Sequence, residues 1–401
     1  MNDYLLNYDK VYEPQEDSFL LLKSALDQIK NNMFLSSKKI CEMGVGSGFV
    51  IKNIALEYKN NIYFGFDLNS NAIDMTKSVF EQAGLEIVLY ESDLFDKSVE
   101  KYDMIIFNTP YLPTEDDENI EDLSIKDRAL YGGLHGYEVI EKFILQINDN
   151  LLNEGLCVII LSSLSDYEHV ILTLEHNCFE YEKIDSVNIF FEEIIALKII
   201  KSKLLKNLVD DGINNIKYLA EGKHSKVLEG QIKGKNVIIK YGKEQHILKE
   251  IIFNKKLNSE DFVPKYIKSS ANYLVREKLN GLMIREWLNF SNKKDTLIVL
   301  NKILNICFRL DDLGINKFEM TNPYKHIFID ESLDVKMIDY ERCNYSVKPK
   351  NVNQVLNYFI KNSKILNDKG IFLDCYKIYD IAKEYKNNRE KFCLKDLLKN
   401  Y

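Results

Sequence analysis

The sequence predicts an α/β domain built on a mostly parallel sheet, followed by a smaller α+β domain. Within residues 39–107, short apolar strands at 39–43, 62–67, 86–90 and 104–107 alternate with helical stretches, an order typical of βαβ units. The charge also changes sign near the middle of the 401-residue chain. Residues 1–200 hold 15 Lys and Arg against 36 Asp and Glu, whereas residues 201–401 hold 38 against 25. One domain seldom divides its charge in this way, so we place the domains at 1–204 and 205–401.

The composition, 46% hydrophobic and 28% charged, is typical of a soluble globular protein. No apolar run approaches the ~20 residues needed to span a bilayer, so we expect a cytoplasmic protein that does not enter a membrane. The seven cysteines are far apart and form no Cys-x-x-Cys pair, which predicts reduced thiols and no zinc site. The acidic first half is a poor candidate for binding a phosphate backbone. The basic second half could contact RNA, the ribosome or a nucleotide, although solvated lysine-rich faces are more common.

Further strands are expected on both sides of the boundary. Segments 157–161 and 189–199 should extend the first sheet, the latter as an apolar strand pair after Phe190-Phe191. In the second half, strands are predicted at 216–220, 227–232, 237–241 and 273–277, with a helix at 244–257. Most of the remaining chain has helical patterning. The second domain should therefore be a small sheet followed by a helical lobe.

A glycine-rich loop at the end of the first strand predicts a cofactor site. The segment Cys41-Glu42-Met43-Gly44-Val45-Gly46-Ser47-Gly48 lies where a strand gives way to a helix, and glycines there allow a ligand to approach the backbone. Such a loop alone is weak evidence, because many strand-to-helix turns need glycine. However, Asp67 ends the next strand, where a carboxylate can accept both hydroxyls of a ribose, and Asp93 follows the third, where it could accept an adenine amine. Three carboxylates at successive strand ends fit a cofactor crevice better than three unrelated helix caps.

The segment Phe107-Asn108-Thr109-Pro110-Tyr111 follows the fourth strand and predicts a substrate site. An amide or exocyclic amine nitrogen is a poor nucleophile, so a site must accept hydrogen bonds from its N–H groups to orient it. The Asn108 side-chain oxygen and the Thr109 carbonyl could be those acceptors, while Pro110 fixes the turn and Tyr111 packs on a planar substrate. Taken alone the segment is equally well a β-turn. Its position after the fourth strand favours the substrate site.

Residues 11–200 resemble the HemK-type release-factor glutamine methyltransferases, especially their short archaeal and eukaryotic branch. The resemblance rests on four segments: Val11-Tyr12-Glu13-Pro14-Gln15-Glu16-Asp17-Ser18-Phe19, the glycine loop, Asn108-Thr109-Pro110-Tyr111, and Leu130-Tyr131-Gly132-Gly133 with Gly136-Tyr137-Glu138-Val139-Ile140. It implies a Rossmann-like class I methyltransferase fold. Ser18 stands where the family usually has Thr, and Thr109 where its Asn-Pro-Pro-Tyr motif has Pro.

The resemblance also implies a cofactor, a substrate and a partner. The cofactor would be S-adenosylmethionine, the substrate a glutamine in the Gly-Gly-Gln loop of a class I translation release factor, and the partner a small zinc-binding activator protein. The cofactor-binding residues would be Ser18, Glu42, Gly44, Gly46, Gly48, Asp67, Asp93, Leu94 and Asn108. Adenine N6 methylation of DNA or RNA is the nearest alternative, since an Asn-x-Pro-Tyr pocket also fits an exocyclic amine. The acidic charge weighs against it.

The second half resembles the small Rio-type archaeal kinases. Glu221-Gly222-Lys223-His224-Ser225-Lys226-Val227 with Val237-Ile238-Ile239-Lys240 resembles the phosphate-covering loop and strand lysine of kinases, and Met337-Ile338-Asp339-Tyr340-Glu341-Arg342 resembles their metal-binding motif. The resemblance implies that Lys240 and Glu250 form the nucleotide-site ion pair, that Asp339 binds Mg²⁺ with ATP, and that Glu319 replaces the catalytic Asp. His326 stands near the position of a metal-binding Asn. Whether this half transfers phosphate is left open, and a pseudokinase scaffold is the rival.

Overall fold

The computed structural model describes residues 8–34, 37–114 and 120–387. The chain divides into two compact units, Met1–Tyr218 and Leu219–Tyr401. The charge pattern placed the boundary earlier, at 204/205. That point falls inside the helix Lys203–Asp210, which buries Leu205 and Leu208 and belongs to the first unit, because a basic exposed face does not prevent a helix from packing through its leucines.

The first unit is a seven-stranded sheet with helices on both faces. Its elements are α1 (Glu16–Asn31), β1 (Lys39–Met43), α2 (Phe49–Glu57), β2 (Ile62–Asp67), α3 (Ser70–Ala83), β3 (Val88–Glu91), β4 (Tyr102–Asn108), β5 (Leu112–Pro113), β6 (Tyr131–Gly133), α4 (Glu138–Asn150), β7 (Leu151–Ser162), α5 (Tyr167–His176), β8 (Phe179–Ile189), β9 (Glu192–Lys201) and α6 (Lys203–Asp210). The strand order is β3-β2-β1-β4-β7-β9-β8. Strands β3, β2, β1, β4 and β7 are parallel, and β9 and β8 complete the sheet as an antiparallel hairpin. This is the predicted class I, Rossmann-like arrangement.

Alternation along β4 explains why this strand is covered on both faces. Met104 and Ile106 join a core with α1 and α2, whereas Phe107 points the other way and packs against Phe143 of α4, with ring centroids 4.9 Å apart.

Helix α3 shows how the local sequence determines where a helix begins and ends. The Asn69 side chain accepts a hydrogen bond from the Asn71 N–H at its start, and Gly84 ends it in the left-handed conformation.

One expectation for this sheet was wrong. We expected a strand pair within 189–199, but the turn lies at Phe190–Phe191 and the first strand of the hairpin, β8, precedes it. Strand β8 is an edge strand rich in polar residues, so it lacks the apolar signal on which the prediction relied.

The second unit begins with an antiparallel sheet and continues into a mainly helical part. Its elements are β10 (Ile213–Glu221), β11 (Ser225–Ile232), β12 (Lys235–Gly242), α7 (Glu244–Lys256), β13 (Tyr266–Ser269), β14 (Tyr273–Glu277), β15 (Leu282–Met283), α8 (Ile284–Phe290), α9 (Lys293–Asp312), β16 (Ile315–Lys317), β17 (Ile327–Ile329), β18 (Val335–Met337), β19 (Cys343–Tyr345), α10 (Asn351–Lys361), α11 (Ser363–Asp368) and α12 (Cys375–Asn387). The large sheet has the order β10-β11-β12-β14-β13, and the division between the units falls within β10.

Five short strands interrupt the part that was expected to be helical. Strands β15, β17 and β18 form one small sheet, and β16 pairs with β19 in another. Each has only two or three residues, which is too short to show a period in sequence. Helix α7 packs on the large sheet through Ile247 and Ile251, which contact Leu274 of β14. Among the described residues, no helix is both long and apolar enough to cross a membrane.

Candidate functional site

A cavity of about 520 Å³ lies at the carboxyl edge of β1, β2 and β4 in the first unit. Parallel strands end at the same edge, so the polar residues that follow them converge there. The sequence-predicted residues that line the cavity are Ser18, Glu42, Gly44, Gly46, Asp67, Asp93, Leu94, Asn108 and Pro110. Two predicted residues, Gly48 and Tyr111, do not line it.

The glycine loop holds the backbone close to the cavity. Gly46 has a φ of 52°, and its N–H donates a hydrogen bond of 2.9 Å to Asp67 Oδ2. Gly48 instead caps helix α2 with a φ of 74°, and a side chain there would press against Thr76. Gly48 is therefore required for the turn and for packing.

Asp67 is positioned by two backbone donors. Its second oxygen, Oδ1, accepts a hydrogen bond of 2.8 Å from the Asn69 N–H. Burial raises the pKa of Asp67 above its usual value of 3.8, while the N–H groups of Asn69 and Gly46 oppose the rise. Each carboxylate oxygen keeps lone pairs for another donor, which suits the acceptance of ribose hydroxyls.

Glu42 is more deeply buried than Asp67. Only 2% of its surface is exposed, and its Oε2 accepts a hydrogen bond of 3.0 Å from the Ile51 N–H in helix α2. Burial raises the pKa of this carboxyl well above its usual value of 4.5. Asp93, by contrast, is exposed at the rim of the cavity, and Leu94 beside it is buried with a positive φ of 43°.

Asn108 presents an unused hydrogen-bond acceptor. Its Nδ2 donates to the Ser18 hydroxyl over 3.4 Å, whereas its buried Oδ1 has no partner among the described residues. The neighbouring Thr109 hydroxyl donates to the Ile160 carbonyl on β7 over 2.5 Å, which ties the loop to the sheet. A buried oxygen without a partner is unfavourable unless a ligand supplies the missing donor.

The segment 130–136 supports this loop. Strand β5 pairs with β6, and a side chain on Gly132 would collide with the carbonyl oxygen of Pro110. Lys126 closes the same side of the cavity, where its ammonium donates to the Tyr8 carbonyl over 2.7 Å. The Leu-Tyr-Gly-Gly motif thus allows close packing, since only glycine at position 132 leaves room for the backbone at Pro110.

The sequence analysis missed Asp17, which holds several of these residues in place. Its buried carboxylate accepts hydrogen bonds from the Tyr12 hydroxyl at 2.9 Å and the Ser18 hydroxyl at 3.1 Å, and from the Tyr111 hydroxyl. Burial, and then the Asp17 charge, raise the pKa values of both tyrosines. Tyr111 therefore packs against the core and bonds to Asp17, and its ring does not face the cavity. The only sequence signal was a carboxylate in the first turn of a helix, which usually lies at the surface.

The second unit contains a separate cluster of charged residues around Lys240. The Lys240 ammonium lies 2.7 Å from Glu250, 2.9 Å from Asp339 and 3.3 Å from Glu341. Burial lowers the pKa of Lys240, but the three carboxylates outweigh this effect and raise it overall. The carboxylate oxygens of Glu250, Asp339 and Glu341 lie within 4.8 Å of one another and could hold a cation. Sequence analysis gave no role to Glu341.

The remaining predicted residues of this half surround Asp339. His326 Nδ1 lies 3.5 Å from an Asp339 oxygen, and burial is the main reason that the pKa of His326 falls to about 4. The buried Lys317 donates to the Asp339 carbonyl and lies over the Tyr340 ring. Glu319 is 3.8 Å from Lys317, so the sequence-predicted Glu319 and Asp339 are brought together by the same lysine.

Residues 18–126 match the family described as methyltransferase small domain. A putative protein N5-glutamine methyltransferase of Methanocaldococcus jannaschii is 35% identical over 190 residues, which are 47% of this chain and 91% of that protein. Methyltransferase HEMK2 of Homo sapiens is 31% identical over 170 residues, 41% of this chain and 77% of that protein. The eRF1 methyltransferase catalytic subunit mtq2 of Schizosaccharomyces pombe is 29% identical over 166 residues, 38% of this chain and 72% of that protein.

Proposed function

Because the N-terminal half of this chain belongs to the HemK-type protein N5-glutamine methyltransferases, which use S-adenosylmethionine, we propose that it methylates the glutamine of the Gly-Gly-Gln loop of a class I translation release factor. The relative from Schizosaccharomyces pombe is described as an eRF1 methyltransferase, which supports a release factor as the substrate. The products would be N5-methylglutamine and S-adenosylhomocysteine.

The observation that carries this proposal is the free Oδ1 of Asn108. A glutamine side-chain nitrogen has two N–H groups and a lone pair delocalised onto its carbonyl. If one N–H donates to Asn108 Oδ1, the nitrogen is fixed in place and the positive charge that develops on it is stabilised. The Ser18 hydroxyl holds the Asn108 amide by its nitrogen, which leaves Oδ1 as the end that faces the substrate.

The cavity suits the cofactor because carboxylates that accept hydrogen bonds line it. Asp67 would accept the ribose hydroxyls, Asp93 the adenine amine, and Glu42 and the glycine loop would contact the remainder of the molecule. S-adenosylmethionine supplies an electrophilic methyl group on a sulfonium. The glutamine nitrogen forms the new C–N bond as the C–S bond breaks, and the displaced N–H proton is lost to solvent. In this reaction the chain's own contribution is positioning and electrostatic stabilisation.

A reconstituted reaction tests the proposal. The full-length chain, S-adenosylmethionine and a purified class I release factor are incubated, and mass spectrometry maps any methylated residue. Methylation of the Gly-Gly-Gln glutamine is expected, and a release factor with Gln→Ala at that position should accept no methyl group. DNA and RNA oligonucleotides in parallel reactions test adenine N6 methylation. Methylated adenine without methylated glutamine would reject the proposal.

A small zinc-binding activator protein is the proposed partner of this unit. The Schizosaccharomyces pombe relative is described as a catalytic subunit, which supports a second component. Strand β3 forms one edge of the sheet, and Val88 on it is exposed, as is Ile62 on the adjacent β2. A free strand edge with exposed apolar residues can accept a partner's strand or its apolar surface.

For the second unit, the proposed function is binding of ATP with Mg²⁺, with slow phosphate transfer. The arrangement of Lys240 and Glu250 at 2.7 Å supports it, because a lysine held by a carboxylate can contact the α- and β-phosphates. Asp339 would then bind the metal. Glu319 is one methylene longer than the usual Asp, and this should slow proton acceptance from a substrate hydroxyl. A pseudokinase that recruits RNA or the ribosome through its positive charge is the competing role.

A further inference from the structure

Two fully exposed phenylalanines form the turn of the β8–β9 hairpin. Phe190 is 98% exposed and Phe191 is 100% exposed. Phe190 also has a φ of 52°, in the left-handed region where a bulky residue is rare. Two-residue hairpin turns favour Asn, Asp and Gly for this reason. The turn therefore exposes apolar side chains to water and holds a strained backbone conformation. Strained residues of this kind concentrate at functional sites.

The hairpin that carries the two phenylalanines is firmly held. Its strands pair over their whole length, from Phe179 opposite Lys201 to Ile189 opposite Glu192. Directly beside the turn, the Ser162 hydroxyl donates to Glu192 Oε1 over 2.5 Å. Ser163 exchanges hydrogen bonds with Glu193, since its N–H donates to the Glu193 carbonyl at 2.9 Å and its hydroxyl accepts from the Glu193 N–H at 2.9 Å. The phenylalanines are thus presented from a fixed support.

The register of the strands places the turn beside the substrate pocket. Asn108 lies opposite Ile160 of β7, and Ile160 lies opposite Ala196 of β9. From Ala196, β9 runs back to Phe191 past the carboxyl edge of β4. Strand geometry puts the turn about 16 Å beyond this edge and about 10 Å to the side of Asn108. The Glu192 charge also acts on the Tyr111 hydroxyl, so the turn end of the hairpin lies near segment 107–111.

We propose that Phe190 and Phe191 form an apolar docking site for the protein that carries the acceptor glutamine. This proposal rests on the proposed glutamine methylation. A loop that places its glutamine against Asn108 must extend from a folded domain that lies above the same sheet edge. The turn lies farther from Asn108 than the residues directly beside the acceptor glutamine can extend, so its partner is the body of the substrate. Burial of two aromatic side chains there would add affinity without taking part in the methyl transfer.

Steady-state kinetics with two substrates test the docking site. The double variant F190S/F191S is compared with wild type on a purified class I release factor and on a short peptide spanning its Gly-Gly-Gln loop. For the whole factor, KM is expected to rise on the order of 10-fold to 100-fold while kcat stays unchanged. For the peptide, neither constant should change. The control is V99S, because Val99 is 83% exposed and precedes the opposite, amino-terminal end of β4.

The outcomes separate this proposal from the one on which it depends. An unchanged KM of F190S/F191S for the whole factor overturns the docking site, and so does an equal loss of activity on factor and peptide, since that would place the hairpin within the catalytic pocket. A wild-type chain that methylates neither substrate even with the proposed activator protein present rejects the proposed function instead. A second variant, F190G/F191S, retains a favourable turn, so loss of affinity in both variants cannot be attributed to a misfolded hairpin.

Discussion

The Asn108 amide donates a hydrogen bond to the Ser18 hydroxyl over 3.4 Å, which joins the end of β4 to the first turn of α1. Ser18 is in turn held by Asp17, which also binds Tyr12 and Tyr111. Segments 11–19 and 107–111 are therefore parts of one hydrogen-bonded network. Its consequence is that Asn108 Oδ1 is directed away from Ser18 and has no partner among the described residues.

Asn108→Ala should nearly abolish methyl transfer while S-adenosylmethionine binding is partly retained. Loss of one preorganised contact to the reacting group typically lowers kcat by about 10²- to 10³-fold. Transfer is measured by mass spectrometry of the release factor, and cofactor binding by calorimetry. Ser18→Ala is the matched variant. It should lower kcat less, because Oδ1 remains and only its orientation is relaxed. Turnover by Asn108→Ala equal to wild type would remove Asn108 from the reaction.

Asp67→Ala should weaken binding of S-adenosylmethionine. The carboxylate is predicted to accept the ribose hydroxyls, and hydrogen bonds to a charged group are worth about 1.5–3 kcal/mol, or roughly 10- to 100-fold in Kd. Calorimetry on the full-length chain measures the change. Asp74→Ala removes an exposed carboxylate on α3 that does not line the cavity and should leave Kd unaltered. Equal affinity of Asp67→Ala and wild type would show that the ribose lies elsewhere.

Glu42 should make the cofactor-free protein less stable as the pH rises. The folded-state pKa of Glu42 is well above 4.5 because the carboxyl is buried. From the unfolded-state pKa near 4.5 upward, the unfolded chain releases this proton and the folded chain retains it. The free energy of unfolding therefore falls with pH until the folded-state pKa is passed. Each unit by which the pKa is raised corresponds to about 1.4 kcal/mol.

Glu42→Gln removes this titration and should flatten the decline of Tm with pH above about 4.5. The amide oxygen of Gln can still accept the Ile51 N–H, so the fold should be retained. Tm is recorded across a pH series without cofactor for wild type, Glu42→Gln and Glu81→Gln, where Glu81 is exposed on α3. The Glu81 variant should follow wild type. Parallel curves for wild type and Glu42→Gln would contradict the raised pKa of Glu42.

The sequence predicted those parts of the site that depend on the ends of parallel strands. Strands β1 and β2 have the predicted bounds, Lys39–Met43 and Ile62–Asp67, and this register brings Glu42, Asp67 and Asn108 to one edge. The regular alternation of apolar strands and helices is visible in short segments of sequence, so it predicts where each strand ends. Features that depend on long-range packing were not predictable in this way.

Three residues illustrate what local pattern could not reveal. Asp17 is buried only because α1 packs across the sheet, and in sequence it resembles an exposed first-turn carboxylate. Tyr111 turns toward Asp17 and not toward the cavity, which depends on a contact between distant segments. Glu341 joins the Lys240 cluster because the backbone turns sharply at Asp339, where φ is 66°. Tertiary contacts determine where each of these three side chains lies, and no periodic pattern in the sequence indicates their positions.

Activity of the first unit should increase when a small zinc-binding activator protein is added. The free edge at β3 is the expected contact, so Val88→Lys should reduce this stimulation by placing a charge on an edge strand. Methyl transfer is measured with and without the activator. Tyr181→Lys makes the same type of change on β8, the opposite edge of the sheet, and should respond as wild type. Full activity and solubility of the chain without any activator would refute the dependence.

The second unit should bind ATP with Mg²⁺, as measured by a rise in Tm on titration. In the structure the three carboxylates around Lys240 satisfy its ammonium. Phosphates would replace part of these contacts, and Mg²⁺ would take the carboxylate of Asp339. Lys240→Ala and Asp339→Ala should both lose the rise in Tm. Lys249→Ala, an exposed lysine on the same helix as Glu250, is the control and should retain it.

His326 offers a sharper test of the same site. Its pKa of about 4 keeps the imidazole neutral near pH 7, and Nδ1 lies 3.5 Å from Asp339 Oδ2. Mg²⁺ prefers oxygen ligands, whereas Mn²⁺ binds nitrogen more readily. His326→Asn should therefore increase the stabilisation by Mg²⁺-ATP, and wild type should respond more to Mn²⁺-ATP than to Mg²⁺-ATP. If nucleotide leaves the Tm of wild type unchanged with either metal, Lys240 and Asp339 serve only to pair with each other. Rapid autophosphorylation would instead show that Glu319 replaces the catalytic Asp of kinases without slowing phosphate transfer.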